Sequence, residues 1–281
     1  MTAAGAVLRL VFTDLDGSLL DHHDYSFSAA LPALEALQRA AIPVMAATSK
    51  TRLEVQDLRE QLGNHHPFIV ENGAAIFIPA GYFPTRPADT LERDGYWVRE
   101  LGAPRERWLQ LLASLEGTFG GDFEYFARAG VEGIAAMTGL SKEQATLANR
   151  REYSEPVQWL GSDARRGEFI EALRAGGATV LQGGRFLTVA GDSDKGRALA
   201  WLRDASVQAR GAATCHDLAA GDSGNDCAML EAAETALLVR SPVHDFPVLE
   251  RRTGVLRSRA YGPAGWAEGV TQWLRQLQAD K

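Results

Sequence analysis

The first apolar run of the chain spans residues 7–12 and ends at a pair of acids, Asp14 and Asp16, which Gly17 follows. A short, continuous apolar run of this kind is typical of a strand buried on both faces of a parallel sheet. Open parallel sheets build their sites at the carboxyl ends of their strands, so the pattern places both carboxylates where chemistry is expected. Taken alone, the pair is equally typical of a turn in which the carboxylates accept hydrogen bonds from backbone N–H groups.

A second apolar stretch with a similar ending lies near the other end of the chain. Leu218-Ala219-Ala220 leads into Gly221, and Asp222 and Asp226 follow before a helical run over residues 227–233. If the two strands are neighbours, four carboxylates meet at one edge of the sheet. Buried carboxylates repel one another and take up protons unless a cation keeps them ionised. We therefore expect a divalent metal ion with oxygen ligands, for which Mg²⁺ is the most suitable.

The residues between these two segments predict an alternation of strands and helices, and hence an α/β fold with a parallel sheet. Residues 43–47 are predicted to form a strand that ends at Thr48. The segment Thr51-Arg52-Leu53-Glu54 has the spacing of a capping box, and the helix that it opens is predicted to end at Gly63. Apolar runs on both sides of Asn72-Gly73 predict a hairpin there.

Two polar groups lie at the ends of predicted elements and suit a phosphoryl group. Thr48 and Ser49 come just before a helix N-terminus, which attracts anions. Lys195 precedes a helical run over residues 197–202 and would supply a positive charge. In isolation, a Ser or Thr before a helix is usually only a cap. The order of acid pair, Thr, Lys and second acid pair favours a functional interpretation.

In this order the segments resemble the four motifs of the haloacid dehalogenase superfamily of aspartate-nucleophile phosphatases. The resemblance rests on the string from Phe12 to Leu20, on Thr48, on Lys195 and on Gly221-Asp222-x-x-Asn225-Asp226. Ser18 stands where the usual motif has Thr or Val, and it keeps the hydroxyl. Further strings are similar to the mannosyl-3-phosphoglycerate phosphatases, a branch with an inserted cap: residues 20–25, 48–52, 70–74, 151–156 and 184–196.

The resemblance implies a Rossmann-like parallel sheet core with an inserted α/β cap domain. We predict that residues 1–83 and 191–281 form the catalytic core and that residues 84–190 form the cap, which decides substrate specificity. The boundaries rest on turn residues near Pro79-Ala80-Gly81 and Gly191 and on the order of the motifs.

The resemblance also implies chemical roles for the motif residues. Asp14 would attack phosphorus and form an aspartyl-phosphate. Asp16 would protonate the leaving oxygen and then, as a base, activate water. Thr48 and Lys195 would hold the phosphoryl oxygens, because phosphoryl transfer depends mainly on positioning and charge neutralisation.

The metal site implied by the resemblance uses its four acids in different ways. Mg²⁺ would bind the side chains of Asp14 and Asp222, but Asp16 only through its backbone carbonyl. Asp226 would belong to the same metal site, oriented behind these ligands. Because the side chain of Asp16 stays free of the metal, its pKa can be tuned upward for work as an acid.

The substrate implied by the resemblance is a small phosphorylated sugar–glycerate compound, which presents a carboxylate beside its phosphate. Arg151 is the first choice for that carboxylate because it lies in a family-like string, and an arginine fork binds carboxylates bidentately. Arg185 is the reserve. The complete set of predicted substrate-binding residues is Ser49, Lys50, Arg52, Asn72, Arg151, Arg185 and Asn225.

Two other functions fit the same motif residues. A phosphotransferase or sugar phosphomutase would use the same groups but protect its aspartyl-phosphate from water. A non-catalytic signalling receiver also places acids, a Thr and a Lys around Mg²⁺, although the cap-sized insertion and Asp16 argue against it. A zinc site at His22-His23 or His65-His66 is disfavoured, because adjacent histidines rarely chelate one ion and no third ligand accompanies them.

Composition narrows the possible partners. The 281 residues are 46% hydrophobic, enough for a full core, and the net charge of −7 argues against a nucleic-acid partner. Attraction for an anionic substrate must therefore come from local cations. The lack of a membrane-length apolar stretch or signal-peptide core favours the cytoplasm, where Cys215 and Cys227 are expected to be reduced thiols. The chain is predicted to end in an amphipathic helix through Trp266 and Trp273.

Overall fold

The computed structural model of the chain describes residues 7–183 and 185–279, so that Gly184, part of one family-like string, lies outside the described residues. The described residues divide into two compact units. The first unit consists of the described residues within Met1–Thr48, Asn64–Arg99 and Asp194–Lys281. The second unit takes those within Ser49–Gly63 and Glu100–Ser193.

Strands and helices alternate along much of the chain, as an α/β fold requires. The strands are β1 (Val7–Thr13), β2 (Val44–Ala46), β3 (Phe68–Val70), β4 (Ala75–Pro79), β5 (Leu91–Arg93), β6 (Tyr96–Glu100), β7 (Phe123–Tyr125), β8 (Glu155–Trp159), β9 (Thr179–Gly183), β10 (Phe186–Ala190), β11 (Thr214–Gly221), β12 (Thr235–Arg240) and β13 (Val255–Tyr261). The helices are α1 (Leu31–Arg39), α2 (Arg52–Leu62), α3 (Arg105–Phe119), α4 (Phe126–Thr138), α5 (Lys142–Ala148), α6 (Asp163–Ala175), α7 (Lys195–Arg210), α8 (Cys227–Ala232) and α9 (Gly262–Ala279).

A five-stranded parallel sheet forms the centre of the first unit, in the order β13-β12-β11-β1-β2. The two strands that lead into the acidic segments, β1 and β11, are direct neighbours, with Val7 paired to Thr214 and Thr13 to Ala220. Leu10, Val11 and Phe12 are fully buried, which explains the continuous apolar run. The predicted α/β fold with a parallel sheet core is confirmed.

Helix α9 packs on this sheet and reaches the end of β1. Trp266 and Trp273 are buried, and Gly269 lies so close to β12 that a Cβ there would come within 2.2 Å of the Leu237 side chain. The indole Nε1 of Trp266 donates a hydrogen bond to Thr13 Oγ1 at 2.9 Å, and Thr13 Oγ1 donates to the carbonyl of Asp14 at 2.7 Å. The predicted amphipathic C-terminal helix therefore fixes the end of β1.

A second sheet of the first unit has the order β3-β4-β6-β5. β3 and β4 are antiparallel, as the predicted hairpin requires, and Val70 pairs with Ala75 across the turn. Glu71, Asn72 and Gly73 in the turn all have positive φ, at 48°, 58° and 92°. Left-handed backbone is costly except at Gly and, to a lesser degree, at Asn, so the tertiary contacts must hold this turn.

The second unit is built around an antiparallel sheet of order β7-β8-β10-β9. Its core contains Trp108 and Phe169 from α3 and α6 and Phe123 from β7. The second unit also includes α2, whose predicted capping box is present. Thr51 Oγ1 accepts a hydrogen bond from the N–H of Glu54, and Glu54 Oε2 accepts one from the N–H of Thr51.

The two units group some residues differently from the boundaries set out above. Residues 84–99 belong to the first unit because β6 joins the sheet beside β4, and residues 49–63 belong to the second because α2 packs against α5. Both groupings depend on contacts between distant segments, which a change of local pattern does not reveal. The assignment of residues 84–190 as a functional cap stays a prediction.

Cys215 and Cys227 are free thiols, as expected. Burial, and next the neighbouring carboxylate of Asp217, raise the pKa of Cys215 to about 12. Burial also raises the pKa of Cys227. None of the helices in the described residues is long and apolar enough to cross a membrane.

We expect Gly73→Ala to destabilise the protein much more than Gly81→Ala. Both glycines have positive φ, 92° and 83°, so each alanine costs about 1–2 kcal/mol of backbone strain. A Cβ at Gly73 would also lie 2.1 Å from the carbonyl oxygen of Asp194, whereas nothing lies within 4 Å at Gly81, and such overpacking adds about 1–3 kcal/mol. Urea titration of the two variants measures the difference. An equal loss of unfolding free energy in the two variants would contradict this, because it would show that the turn at Gly73 can shift to make room for a Cβ.

Candidate active site

The first acidic segment leaves β1 as a tight turn. The N–H of Asp14 continues the pairing with β11 by donating to the carbonyl of Ala220 at 2.8 Å. The chain then folds back on itself, because the N–H of Leu20 donates to the carbonyl of Leu15 at 2.8 Å and that of Gly17 donates to Leu20 at 2.9 Å. Asp14 is buried at the carboxyl end of the strand.

The second acidic segment leaves β11 and packs directly on the first. Asp222 is buried, and a Cβ at Gly17 would lie only 2.6 Å from Asp222 Oδ2. A Cβ at Gly221 would lie 2.5 Å from the Cβ of Asp226. The two glycines therefore allow three carboxylates to approach each other at the sheet edge.

Asp14, Asp222 and Asp226 form a compact group of carboxylates. One oxygen of each lies within 4.8 Å of the others, and all three residues are buried. Oxygen donors at this spacing suit a hard divalent cation. Within the part of the chain that the structure describes, no group of three metal-binding side chains contains His22, His23 or a residue of the His65-His66 pair.

Lys195 is the cation that contacts this group. Its fully buried Nζ donates to Asp14 Oδ1 at 2.6 Å and to Asp226 Oδ1 at 2.7 Å. The other oxygen of Asp226, Oδ2, accepts from the backbone N–H groups of Asp222 and Ser223, each at 3.1 Å. Asp226 thus ties the lysine to the loop that carries Asp222.

The electrostatics of the group favour an additional positive charge. Burial, and then the carboxylate of Asp226, raise the pKa of Asp14 well above its usual value, and the same two causes raise that of Asp222 to about 6. Burial alone would lower the pKa of Lys195, but the carboxylates of Asp14 and Asp226 raise it above the ordinary value. Three ionised carboxylates and one ammonium leave an excess of two negative charges, which a divalent cation balances.

Asp16 takes a different position from the other acids. It is half-buried, and its carboxylate does not belong to the compact group of three. Its charge still acts on Asp14, because it contributes to the raised pKa of that residue. This placement suits the predicted acid, whose side chain stays off the metal, but the role itself stays a prediction.

Thr48, Asn72 and Asn225 meet at the same edge of the sheet. The N–H of Ala47 donates to the Thr13 carbonyl at 2.8 Å, and the carbonyl of Thr48 accepts from the N–H of Asn72 at 2.9 Å. Asn225 Nδ2 donates to Asn72 Oδ1 at 3.1 Å. The left-handed turn at Asn72 is therefore linked to the Asp222–Asp226 loop through the two asparagine side chains.

The other predicted substrate-binding residues belong to the second unit. Arg151 Nη2 donates to the carbonyl of Ser49 at 2.6 Å and its Nε donates to Ser154 Oγ at 3.0 Å. Arg52 Nε donates to Glu152 Oε1 at 2.9 Å. Arg151 and Arg52 thus brace the residues that follow Thr48.

Lys50 and Arg185, two further predicted substrate-binding residues, also belong to this unit. Lys50 is half-buried within the segment that Arg151 braces. Arg185 is exposed, and it donates to the carbonyl of Thr138 at 3.2 Å. No substrate role of these residues is tested by the geometry of the unit.

Sequence reasoning missed His244. This residue follows β12, the neighbour of β11, and its Nε2 lies 3.3 Å from Asp222 Oδ2. The carboxyl end of a neighbouring parallel strand is the signal that points to it, since side chains from adjacent strand ends share one edge.

Comparison with known proteins shows similarity over nearly the whole chain. Residues 11–83 match the family model described as haloacid dehalogenase-like hydrolase. A glucosyl-3-phosphoglycerate/mannosyl-3-phosphoglycerate phosphatase of Methanococcoides burtonii is 36% identical over 93% of this chain and 96% of its own length. A mannosyl-3-phosphoglycerate phosphatase of Pyrococcus horikoshii is 37% identical over 85% of this chain and 93% of its own. A crystal structure of a Thermoplasma acidophilum protein shares the fold, with a TM-score of 0.64, 15% identity and coverage of 97% and 99%.

We expect Mg²⁺ to stabilise the protein more at about pH 7.5 than at about pH 5. In the metal-free fold, the raised pKa values of Asp14 and Asp222 mean that folding favours the protonated forms of both side chains. Their contribution to the free energy of unfolding therefore falls as the pH rises from the ordinary pKa of an aspartate to about 6 and above. A metal ion needs the ionised forms, and each tenfold gain in its affinity adds about 1.4 kcal/mol at saturating concentration. Thermal unfolding with and without Mg²⁺ measures the effect, with Asp222→Asn as the unresponsive control. An equal rise in unfolding temperature on addition of Mg²⁺ at both pH values would contradict the prediction.

Proposed function

We propose that this chain, which belongs to the haloacid dehalogenase-like family of phosphatases, is a magnesium-dependent hydrolase of a glycosyl-3-phosphoglycerate, with mannosyl-3-phosphoglycerate as the first candidate. The observation that carries the proposal is the buried contact of Lys195 with Asp14 and Asp226 beside Asp222. These are the motif residues that a phosphoryl-transfer site needs, and the relatives that span most of the chain are named for this substrate class.

The reaction begins at Asp14. Lys195 binds Oδ1 of this carboxylate and so orients the side chain. The oriented carboxylate attacks phosphorus, the bond from phosphorus to the glycerate oxygen breaks, and the leaving oxygen takes a proton from Asp16. Water, deprotonated by Asp16, then attacks the phosphorus of the aspartyl-phosphate, releases inorganic phosphate and restores Asp14.

The buried carboxylates of Asp14 and Asp222 fit a magnesium ion, with the backbone carbonyl of Asp16 as the further predicted ligand. When bound, Mg²⁺ neutralises charge on the transferring phosphoryl group. Asp226 has both oxygens engaged by protein donors, so its role in this scheme is to hold Lys195 and the Asp222 loop. Thr48 and Lys195 bind the phosphoryl oxygens.

The substrate carboxylate needs its own cation, since Lys195 and the metal serve the phosphate. Arg151 and Lys50 lie on adjoining parts of the second unit, where Arg151 braces Ser49. A guanidinium fork matches a carboxylate better than an ammonium does. We therefore keep Arg151 as the glycerate-binding residue, supported by Ser49, Lys50 and Arg52.

A phosphotransferase or phosphomutase is the second candidate on the same residues. It would pass the phosphoryl group to a second sugar hydroxyl rather than to water, so the two functions differ in product. The relatives named as phosphatases favour hydrolysis.

We expect the protein to release inorganic phosphate from mannosyl-3-phosphoglycerate and glucosyl-3-phosphoglycerate faster than from simple sugar phosphates. Asp14→Asn removes the nucleophile and is expected to lower the rate by ~10⁴-fold or more. Asp204→Asn, which changes an acid with an 82% exposed side chain on α7, is the matched control and should leave the rate unchanged. Phosphate release assays over both substrate sets give the result. Near-normal release by Asp14→Asn, or an isomerised sugar phosphate as product, would refute the proposal.

We expect Arg151→Ala to raise KM for a glycosyl-3-phosphoglycerate by the equivalent of ~1.5–3 kcal/mol, the usual worth of a charged hydrogen bond. An aryl phosphate has no carboxylate, so its hydrolysis should hardly change. Arg185→Ala serves as the comparison variant from the same unit. If Arg151 only braced the Ser49 carbonyl, both substrates would suffer alike, and the glycerate-binding role would be wrong.

A further inference from the structure

The loop after β12 brings an imidazole to the rim of the carboxylate group. Nε2 of His244 lies 3.3 Å from Asp222 Oδ2, although the histidine side chain is 38% exposed. Nδ1 of the same ring lies 3.0 Å from the carbonyl oxygen of Asp245. The two ring nitrogens therefore face oxygen atoms on opposite sides, one of a backbone carbonyl and one of a carboxylate.

The contact involves one particular oxygen of Asp222. Oδ2 faces His244. The same oxygen also lies close to Gly17, since a Cβ added to Gly17 would be only 2.6 Å from it. One oxygen of this carboxylate is thus enclosed by protein on two sides. Enclosure of one oxygen fixes the direction in which the other oxygen points.

His244 itself lies outside the metal-binding group. The described side chains whose ligand atoms lie within 4.8 Å of one another are those of Asp14, Asp222 and Asp226, and the histidine is not among them. Its nitrogen therefore contacts Asp222 from outside the group of three carboxylates. Groups that hold a metal-binding side chain from behind typically change metal affinity by about 10–100-fold when they are removed.

We propose that His244 is a positioning residue that holds the Asp222 carboxylate in the orientation in which it binds the metal ion. The inference rests on the magnesium site of the proposed function and adds a residue to it from outside the family-like motifs. It also gives the loop after β12 a specific task, because the loop aims the histidine at the edge of the sheet that carries Asp222.

The test measures Mg²⁺ binding directly, by isothermal titration of the full chain without substrate. His244→Ala is expected to weaken Mg²⁺ affinity by about tenfold, and His244→Gln, which keeps an N–H donor, by less. At saturating Mg²⁺ the kcat of His244→Ala should stay close to that of the wild type. The matched control is His216→Ala in the same unit. His216 is also a partly exposed histidine beside a carboxylate, because its Nδ1 lies 2.7 Å from Glu234 Oε2.

The outcomes separate this inference from the proposed function. A wild type that binds no Mg²⁺ overturns the metal site and the inference together. A wild type that binds Mg²⁺ with His244→Ala equally tight, or tighter, overturns only the positioning role. Pulsed EPR with Mn²⁺ in the site adds an independent reading: no nitrogen coupling is expected, and a coupling that disappears in His244→Ala would make His244 a ligand instead.

Discussion

The repulsion among three buried carboxylates is the constraint on which the rest of the site depends. Lys195 relieves part of it by contacting Asp14 and Asp226 at once, while burial, and next the carboxylate of Asp226, still raise the pKa of Asp14 and of Asp222. An excess of negative charge of this kind favours binding of a divalent cation. The same imbalance that costs stability in the metal-free fold would supply the metal affinity that the proposed reaction needs.

The scaffold meets this constraint by close approach of backbone to carboxylate. β1 and β11 are adjacent parallel strands, and Gly17 and Gly221 leave no side chain between the loops that follow them. Asp226 then links the helix that begins at Lys195 to the loop of Asp222. The sheet thus determines where the carboxylates lie, and the hydrogen bonds of Asp226 connect Lys195 to the loop that carries Asp222.

Much of this arrangement is predictable from the sequence, because strand ends and caps are local features. The strand before Asp14, the capping box at Thr51 and the hairpin near Asn72 all follow from patterns of a few residues, and the structure contains each of them. The pairing of specific atoms is not local. The Asn72–Asn225 hydrogen bond and the His244–Asp222 contact join segments far apart in the chain, so no spacing rule could reveal them.

The hydrogen bond between Trp266 and Thr13 has a consequence for folding during synthesis. It joins residues 253 positions apart, and β1 itself pairs with a strand near the other end of the chain. β1 is therefore synthesised well before β11 and α9, and the edge that pairs with β11 stays unpaired until those elements follow. During that interval its apolar edge is exposed, and such long-range pairing folds slowly. A chaperone that shelters the nascent segment containing β1 would meet the need that this topology creates.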